Sequence, residues 1–326
     1  MVLIHSRFAD ETANEVVCWL NSYGTSFKRI NFIKEFFSSI STNEMGIDIL
    51  ENNEQKIHNI YTSYYLNGGA VKIESPFKKD NKFRLGINKF LIEESKLLYA
   101  HLYDGFPNRG FGNFPVDINK LTVLKIAREC GLNIPPTAIV HSKKQLEFYF
   151  PKWERIITKS IGNGADIEAE KYSISGQRTE EITRLDLERM ANDFSPSLIQ
   201  KLIPKNFEVR VFWFKNEVHS VAIFSQLDKE AMIDFRNGEK LRTVPYKLSV
   251  ELQVSLNNLM QKLNLNYGSI DLIVTPDDET YFLEVNPFGQ FGFLSKAGNF
   301  HIEKRIAEYL TQIEKIDARA TNQTYS

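Results

Sequence analysis

The stretch YGSIDLIVTPDDETYFLEVNP, residues 267–287, predicts a β-hairpin that carries acidic residues on its strands. Its two arms, residues 269–275 and 280–286, are rich in β-branched and aromatic residues, which favour strands. Between the arms stand three residues that favour turns: Pro276, Asp277 and Asp278. We therefore expect an antiparallel hairpin that turns at these residues.

The register of the hairpin depends on its loop. A loop with an even number of residues pairs Thr275 with Thr280 and places Asp271 directly opposite Glu284, whereas an odd-numbered loop breaks this register. Directly opposed residues have Cβ atoms roughly 5 Å apart, and like charges at that distance are destabilising. Asn286 lies two residues beyond Glu284, so the alternation of side chains along a strand puts it on the same face.

This face suggests a metal site. Asp271, Glu284 and Asn286 offer two carboxylates and an amide with no Cys or His nearby. Hard oxygen ligands of this kind suit Mg²⁺ held together with phosphates and water, rather than zinc. The alternative is a purely structural hairpin, in which Asp271 is a solvated strand residue and Glu284 pairs with a lysine.

Composition limits the classes of function. The chain has 326 residues, of which 42% are hydrophobic and 25% charged, as expected for a globular protein of two or three subdomains. A formal net charge of −1 gives no support for a nucleic-acid partner. Cys18 and Cys130 form no CxxC pattern, which fits a reducing compartment. No segment approaches the roughly 20 apolar residues of a membrane span, so we expect a cytoplasmic protein without membrane contact.

The order of predicted elements indicates an α/β (α+β) fold. A strand at 2–5, a helix at 10–21 and a strand at 27–32 form a β-α-β opening. Further strands are expected at 46–50, 56–65, 137–140, 155–159, 198–203, 207–213 and 218–226, and further helices at 91–103, 119–130, from 142, and at 252–263. The strand at 207–213 alternates and is predicted to be half-buried, and the polar tail after residue 314 is predicted to fray.

Two further groups of residues suggest anion binding. Lys159 ends a predicted strand and is followed by the loop Gly162-Asn163-Gly164, where backbone amides and a lysine can both face phosphate oxygens. A solvent-exposed lysine is the alternative. Arg210 lies inside an apolar strand, on the same face as Glu208, and either binds an anion or forms an internal ion pair.

Taken in order, these motifs resemble those of ATP-grasp ligases. The motifs are Asn119-Lys120 at a helix start, Lys159 before the glycine loop, the Gln200-Lys201-Leu202-Ile203-Pro204 hinge, Glu208-Val-Arg210 and the acidic hairpin. The chain is most similar to the graspetide synthetases, the microviridin-type peptide macrocyclases. That similarity rests on YGSIDLIVTPD, FLEVNPFGQF, Ser225-Gln226 and Asp234-Phe-Arg236, which lie in the last two thirds of the chain.

The resemblance implies a domain plan and a division of roles. The domains are a pre-ATP-grasp α/β domain at 1–114, a central domain at 115–196 and a C-terminal ATP-grasp domain at 197–326. The residues implied to bind ATP are Lys120, Lys159, Gly162, Gly164, Gln200, Lys201, Leu202 and Ile203. Asp271, Glu284 and Asn286 are implied to hold Mg²⁺, as two ions. Arg210 and Arg236 are implied to contact the γ-phosphate or an acyl phosphate, and Glu208 to help place the peptide.

The implied reaction is the closure of rings in a ribosomal precursor peptide. An Asp or Glu side chain of the peptide is activated as an acyl phosphate, and a Thr, Ser or Lys side chain then attacks it to form an ester or an amide. The leader segment is expected to dock near residues 167–175 and 183–192, with Asp186 and Glu188 as acidic contacts. The resemblance also implies a homodimer.

The sequence departs from the family pattern in three places, one of them the Trp-Tyr-Arg-Arg pattern, which is not recognisable around residues 60–66. Ser269 stands where many ATP-grasp ligases have Arg before the first metal-binding acid, and Lys201 stands where Glu is common. Two alternatives remain at this point: a ligase that adds amino acids to a peptide or protein terminus, and an ATP-binding regulatory module without turnover.

Overall fold

A computed structural model describes residues 1–7, 9–30, 39–43, 46–51, 54–57, 63–67, 86–94, 97, 109–112, 119–162, 167–168, 173–174, 179–228, 231–238 and 241–324. Internal contacts divide the chain into two compact units. The first contains Met1–Val116, Gln290–Ser295 and His301–Ser326, and the second contains Asp117–Gly289 and Lys296–Phe300. The three predicted domains, 1–114, 115–196 and 197–326, stay a prediction.

The first unit contains a parallel sheet. Strands β1 (Val2–Ser6), β2 (Phe27–Ile30), β6 (Ser63–Asn67) and β7 (Gly110–Phe111) lie in the order β2-β1-β6-β7, and all three pairings are parallel. Helix α1 (Glu11–Ser22) connects β1 to β2 and begins at Asp10, whose side chain accepts a hydrogen bond from the Ala13 amide. The predicted β-α-β opening is therefore confirmed.

Three other elements of this unit depart from the sequence-based expectations. Strands β3 (Ser39–Asn43), β4 (Gly46–Glu51) and β5 (Glu54–Ile57) form a small antiparallel sheet, in which β4 matches the strand predicted at 46–50. The single strand predicted at 56–65 overlaps both β5 and β6, and residues 58–62 lie outside the described residues. Helix α2 covers residues 86–94, earlier than predicted, and residues 98–103 of its predicted span lie outside the described residues. The predicted fraying after residue 314 is wrong, because the last helix continues to Thr324.

Two sheets form the frame of the second unit. The smaller contains β8 (Thr137–Ser142), β9 (Ile156–Lys159), β12 (Glu180–Ile182) and β13 (Asp193–Lys201), in the order β12-β9-β13-β8. Helix α4 (Lys143–Trp153) packs on one face of it through a core that includes Leu146, Ile156 and Ile199. Beside it, β10 (Ile167–Glu168) and β11 (Ser173–Ile174) pair as a short hairpin, and α5 (Arg184–Arg189) follows β12.

The larger sheet is antiparallel and carries most of the core. Its strands are β14 (Phe207–Phe214), β15 (Glu217–Ile223), β16 (Thr243–Pro245), β17 (Tyr267–Val274) and β18 (Thr280–Asn286), in the order β16-β15-β14-β17-β18. Helices α3 (Lys120–Glu129) and α6 (Val250–Lys262) pack against one face, around Val209, Val211, Ile270 and Leu272. The other face carries the charged residues singled out in the sequence.

Helices α7 (Gly292–Gly298) and α8 (Ile302–Thr324) complete the chain. In the first unit, α8 packs against α1, and Thr311 shares a buried hydrogen bond with Thr25 across that contact. Among the helices that the structure describes, none combines the length and the apolar character needed to cross a membrane.

Candidate active site

A row of charged side chains crosses the large sheet. Arg210 on β14 pairs directly with Asp271 on β17, and Asp271 pairs directly with Glu284 on β18. Glu208 lies two residues before Arg210 and therefore on the same face. Strand β14 was predicted to be half-buried, but both of its charged residues are buried. The prediction underestimated how completely this charged face is covered.

The hairpin reaches the predicted pairing by an unpredicted route. Near the turn, Val274 pairs with Thr280, so residues 275–279 form an odd-numbered loop and the expected pair of Thr275 with Thr280 is wrong. The register then shifts between Leu272, which pairs with Phe282, and Asp271, which pairs with Glu284. One extra residue on β18 makes this β-bulge, which cancels the odd loop and returns both acids to one face.

Arg210 and Asp271 form the central ion pair. Nη1 of Arg210 donates to both carboxylate oxygens of Asp271 at 2.7 Å. Burial raises the pKa of the Asp271 carboxyl, and the positive charge of Arg210 opposes that shift. Nε of Arg210 is buried and has no hydrogen-bond acceptor among the described residues. The guanidinium is thus fixed to Asp271 through Nη1, while its Nε is enclosed by the protein.

Glu284 lies between two cations. Nη1 of Arg236 is 3.7 Å from one of its carboxylate oxygens, and Nζ of Lys120 is 3.9 Å from the other. Arg236 is oriented by Asp234, which accepts hydrogen bonds from Nε at 2.8 Å and from Nη2 at 2.6 Å. Although burial opposes it, this fork holds the pKa of Asp234 below its usual range. Asp234 thus leaves only Nη1 of Arg236 directed toward Glu284.

Lys120 begins α3, whose N-terminus is capped by the side chain of Asn119. Its Nζ also donates to the carbonyl oxygen of Ser160 at 3.2 Å, which ties the helix start to the segment after Lys159. Burial lowers the pKa of Lys120, and the nearby Glu284 carboxylate opposes the shift. The predicted phosphate-binding lysine therefore lies beside a predicted metal ligand.

Eight of the sixteen predicted site residues line one cleft of the second unit, with an empty volume of about 630 Å³ when the part open to solvent is included. Lys120, Arg210 and Asn286 are not among the lining residues. The predicted residues in its lining are Lys159, Lys201, Leu202, Ile203, Glu208, Arg236, Asp271 and Glu284. Because these residues come from β9, β13, β14, β17, β18 and the segment before Gly238, the fold gathers motifs that are distant in sequence.

The hinge presents few free backbone donors to this cleft. The amide of Lys201 donates to the carbonyl of Pro136 and the amide of Leu202 to that of Arg155, both at 3.0 Å. Gln200 is fully buried, and its Nε2 donates to the Thr137 hydroxyl at 2.8 Å. Its Oε1 has no hydrogen-bond partner in the described part of the chain. Gln200 is not among the lining residues, in contrast to the three hinge residues that follow it.

Lys159 is the last residue of β9, as predicted, and its side chain lines the cleft. Burial lowers its pKa to about 8, and the Glu284 carboxylate opposes the shift. In the loop that follows, Gly162 is exposed, whereas Gly164 lies outside the described residues. A lysine in a cleft whose pKa is lowered by burial is typical of functional sites, because the nearby charges do not fully offset the loss of hydration.

The donors at the hairpin fit a magnesium ion. Asp271, Glu284 and Asn286 share one face of β17 and β18, because Asn286 pairs with Ser269 in the same register. The Oδ1 atom of Asn286 accepts a hydrogen bond from the Phe288 amide at 3.0 Å, and a carbonyl oxygen retains a second lone pair. No group of three or more His, Cys, Asp or Glu residues suited to a metal occurs in the described ranges. The hairpin therefore offers a partial oxygen shell, which suits Mg²⁺ shared with phosphates.

The predicted peptide contacts lie on α5. Asp186 and Glu188 are exposed, and neither lines the cleft. One carboxylate oxygen of Asp186 accepts hydrogen bonds from the amide of Thr183 at 2.8 Å and from its hydroxyl at 2.6 Å. The amide of Asp186 in turn donates to the Thr183 hydroxyl at 3.2 Å, which together with the bond from the Thr183 amide forms a capping box that stabilises the start of the helix. Asp186 thus has a structural role that the sequence analysis did not include.

Lys205 is a charged residue of the cleft that the sequence analysis did not include. Lys205 lines the cleft, and its ammonium forms an ion pair with Glu208 and donates to the carbonyl of Ile233 at 3.2 Å. Glu208 also accepts a hydrogen bond from the Ser225 hydroxyl at 2.8 Å. Burial raises the pKa of Glu208, against the effect of Lys205. The only signal in the sequence was the position of Lys205 three residues before Glu208, at the start of an apolar strand.

The comparisons with known proteins give structural matches only. No protein-family model matches the chain, and no curated protein matches it. The macrocyclase MdnC of Microcystis aeruginosa, solved with its precursor peptide MdnA, superposes with a TM-score of 0.75 at 23% identity, over 95% of this chain and 99% of that chain. An ATP-grasp ligase associated with RiPPs from Chryseobacterium gregarium gives 0.71 at 20% identity, over 96% and 95%.

The chain has the ATP-grasp fold. A third solved structure supports this: the ATP-grasp ligase PsnB, solved with a precursor variant, Mg and ADP, has a TM-score of 0.73 at 18% identity, over 96% of this chain and 98% of that chain. The predicted fold class is confirmed. At these identities the likeness concerns the fold, and the roles of individual residues in this chain are proposals.

Proposed function

We propose that this chain is an ATP-dependent ligase that closes macrocyclic ester or amide links in a ribosomal precursor peptide. The main observation in favour is the Arg210–Asp271–Glu284 row, in which Asp271 and Glu284 line a cleft that Lys159, Arg236 and the hinge also line. The proteins of similar fold, MdnC and the Chryseobacterium gregarium ligase, were solved with peptides, the second also with ADP. The peptide substrate and the nucleotide are assigned to this chain as part of the proposal.

The nucleotide is proposed to lie along the cleft. Lys201, Leu202 and Ile203 contact adenine through their backbone. Because the amides of Lys201 and Leu202 donate to the carbonyls of Pro136 and Arg155, the amide of Ile203 is the hinge donor without an acceptor among the described residues. Gln200 supports this hinge from the buried side. Lys120, Lys159 and the backbone at Gly162 and Gly164 bind the phosphates, since cations and exposed amides are the usual partners of phosphate oxygens.

Asp271, Glu284 and Asn286 are the proposed ligands of two Mg²⁺ ions. When bound, the metal would neutralise charge on the phosphate oxygens and orient the terminal phosphate. Arg210, and Arg236 through its Nη1, stabilise negative charge on the transferred phosphoryl group. Glu208, held between Lys205 and Ser225, helps to place the peptide.

The proposed reaction has two steps. A peptide carboxylate attacks the terminal phosphate of ATP, which yields an acyl phosphate and ADP. A hydroxyl or amine of the same peptide then attacks the acyl carbon and expels inorganic phosphate, with loss of its proton to solvent. Each new bond therefore removes the mass of one water from the peptide. Positioning and charge stabilisation supply most of the catalysis in reactions of this kind.

The direct test is the mass of the peptide after reaction. The chain is incubated with ATP, Mg²⁺ and the small peptide encoded beside its gene, and we expect the loss of one water for each bond, with one ADP formed per bond. Omission of ATP is the control. A gain equal to an amino acid supports the terminus-adding ligase instead, and nucleotide binding without ADP formation supports the regulatory module.

The proposed leader contact is tested most cleanly at Glu188. Because Asp186 caps α5, its replacement by Ala changes helix stability as well as charge. Glu188→Ala should weaken binding of a labelled precursor peptide by up to about fivefold, the range of an exposed ion pair, without changing ADP affinity. Glu147→Ala, an exposed glutamate of α4, is the matched control. Equal peptide affinity in both variants removes Glu188 from the leader site.

A pH dependence is expected from Lys159. Because its pKa is about 8, the ammonium is charged below that pH and loses its proton above it. Binding of ADP should therefore weaken as the pH rises through this value, by about tenfold or more if a charge-assisted hydrogen bond is lost. Isothermal titration calorimetry on both sides of that pH measures the change. Lys159→Arg stays charged and should show a flat profile; the same decline in that variant assigns the effect to another group.

The proposal also includes assembly and location. A homodimer in the cytoplasm, where ATP is available, is the form that the family resemblance implies. Light scattering on the purified chain measures its mass, and a monomer at all concentrations removes the dimer from the proposal.

A further inference from the structure

Lys205 is a buried lysine that no step of the proposed reaction uses. Only 4% of its side chain is exposed, and its ammonium pairs with the Glu208 carboxylate at the start of β14. It follows the hinge residue Ile203 by two positions, with Pro204 between them. A lysine is rarely buried so completely unless its charge is paired, so its position reflects specific contacts.

The contacts of Lys205 and Glu208 reach the same segment at two points. Glu208 accepts a hydrogen bond from the hydroxyl of Ser225 at 2.8 Å, and Lys205 donates one to the carbonyl of Ile233 at 3.2 Å. Within the segment, Nε2 of Gln226 donates to the carbonyl of Met232 at 3.1 Å. The pair therefore holds both described parts of the segment, residues 225–228 and 231–238, against β14.

This segment determines where Arg236 points. Ile233 immediately precedes Asp234, whose carboxylate fixes the guanidinium of Arg236 through two hydrogen bonds. The remaining Nη1 of Arg236 then lies 3.7 Å from Glu284. A shift of the Ile233 carbonyl would displace Asp234 and Arg236 together, since both follow it within three residues of chain.

We propose that Lys205 is a positioning residue, which fixes the 225–238 segment to β14 so that Nη1 of Arg236 lies beside Glu284. Because Lys205 follows the hinge residue Ile203 by two positions, its side chain also joins this segment to the chain just after the hinge. The consequence for catalysis rests on the proposed function, whereas the consequence for the segment holds for the chain alone.

The structural consequence is measured by hydrogen–deuterium exchange without ligands. In Lys205→Met, amides of residues 225–238 should exchange at least about tenfold faster than in the unaltered chain, because the segment loses its attachment at Ile233 and the partner of Glu208. Lys205→Arg should restore part of the protection. Lys144→Met, at an exposed position on α4, is the control and should exchange like the unaltered chain. Unchanged protection in Lys205→Met overturns the proposal.

Loss of folding is separated from loss of positioning by a double variant. Lys205→Met leaves the buried Glu208 carboxylate without its cation, so circular dichroism must first show that the variant folds. Lys205→Met with Glu208→Leu removes the unpaired charge, and buried pairs replaced by apolar residues usually keep the fold. Faster exchange of residues 225–238 is expected here too; protection equal to the unaltered chain contradicts the proposal.

The catalytic consequence is a split between turnover and nucleotide binding. In Lys205→Met, kcat of peptide cyclisation should fall about 10²-fold, the effect of a misplaced group, while the Kd of ADP changes less than about threefold. Equal losses of both indicate a general structural defect and overturn the positioning role. If the unaltered chain cyclises no peptide, the proposed function fails, whereas the exchange result still decides the role of Lys205.

Discussion

Replacing Arg210 with methionine should reduce turnover by about 10²- to 10³-fold, the effect of removing one preorganised donor from a transition-state site. It should also lower the free energy of unfolding by about 3–5 kcal/mol, because Asp271 then keeps a buried carboxylate without its cation. Both effects follow from one contact, in which Nη1 of Arg210 donates to both oxygens of Asp271. The loss of turnover is measured as ADP formation with the precursor peptide.

A second substitution separates the two effects. Arg210→Met combined with Asp271→Leu removes the unpaired carboxylate, and urea unfolding should show most of the lost stability restored. Activity should stay absent, because both the anion donor and a proposed metal ligand are gone. Arg128→Met, at an exposed position on α3, controls for the loss of any arginine. Full turnover in Arg210→Met would falsify the phosphoryl contact, and unchanged stability would contradict the central ion pair.

The sequence predicted the acids of this site better than the path of the chain between them. It placed Asp271 opposite Glu284 by assuming an even loop, while the structure reaches that pair through an odd loop and a bulge beyond Leu272. Because side chains alternate along a strand, the sequence limits which residues can share a buried face. The residues that pair on that face are therefore easier to predict than the length of the loop. A β-bulge leaves one residue without a partner on the neighbouring strand, and no local residue preference predicts its position.

Burial and partner choice were the parts that the sequence could not supply. The alternation of Glu208 and Arg210 with apolar residues fits a half-buried strand and a fully covered strand equally well. Only the fold determines whether these two side chains are exposed or buried. Lys205 was missed because its partners Glu208 and Ile233 come together only when the 225–238 segment folds back. Asp186 was predicted as an acidic contact for the leader peptide, whereas its capping role depends on the helix starting at Arg184.

The replacement Glu284→Gln is expected to abolish ATP cleavage, to at most about 10⁻² of the original rate, while leaving the fold intact. Glutamine keeps the shape of the side chain but removes a negative charge and weakens a proposed Mg²⁺ ligand. Stability should change little, because the ion pairs of Glu284 with Arg236 and Lys120 are long, at 3.7 and 3.9 Å, and its side chain is 20% exposed. Activity assays and urea unfolding measure the two quantities.

Because two cations lie beside Glu284, this variant also tests the direction in which the affinity for ADP changes. In the unaltered chain, Lys120 and Arg236 face a carboxylate that competes with phosphate for them. In Glu284→Gln they lose that competitor, so ADP without metal should bind as tightly as before or more tightly, while added Mg²⁺ no longer improves the affinity. Glu279→Gln, in the turn of the same hairpin, should retain the full metal effect. If Mg²⁺ still strengthens ADP binding normally in Glu284→Gln, Glu284 does not hold the metal.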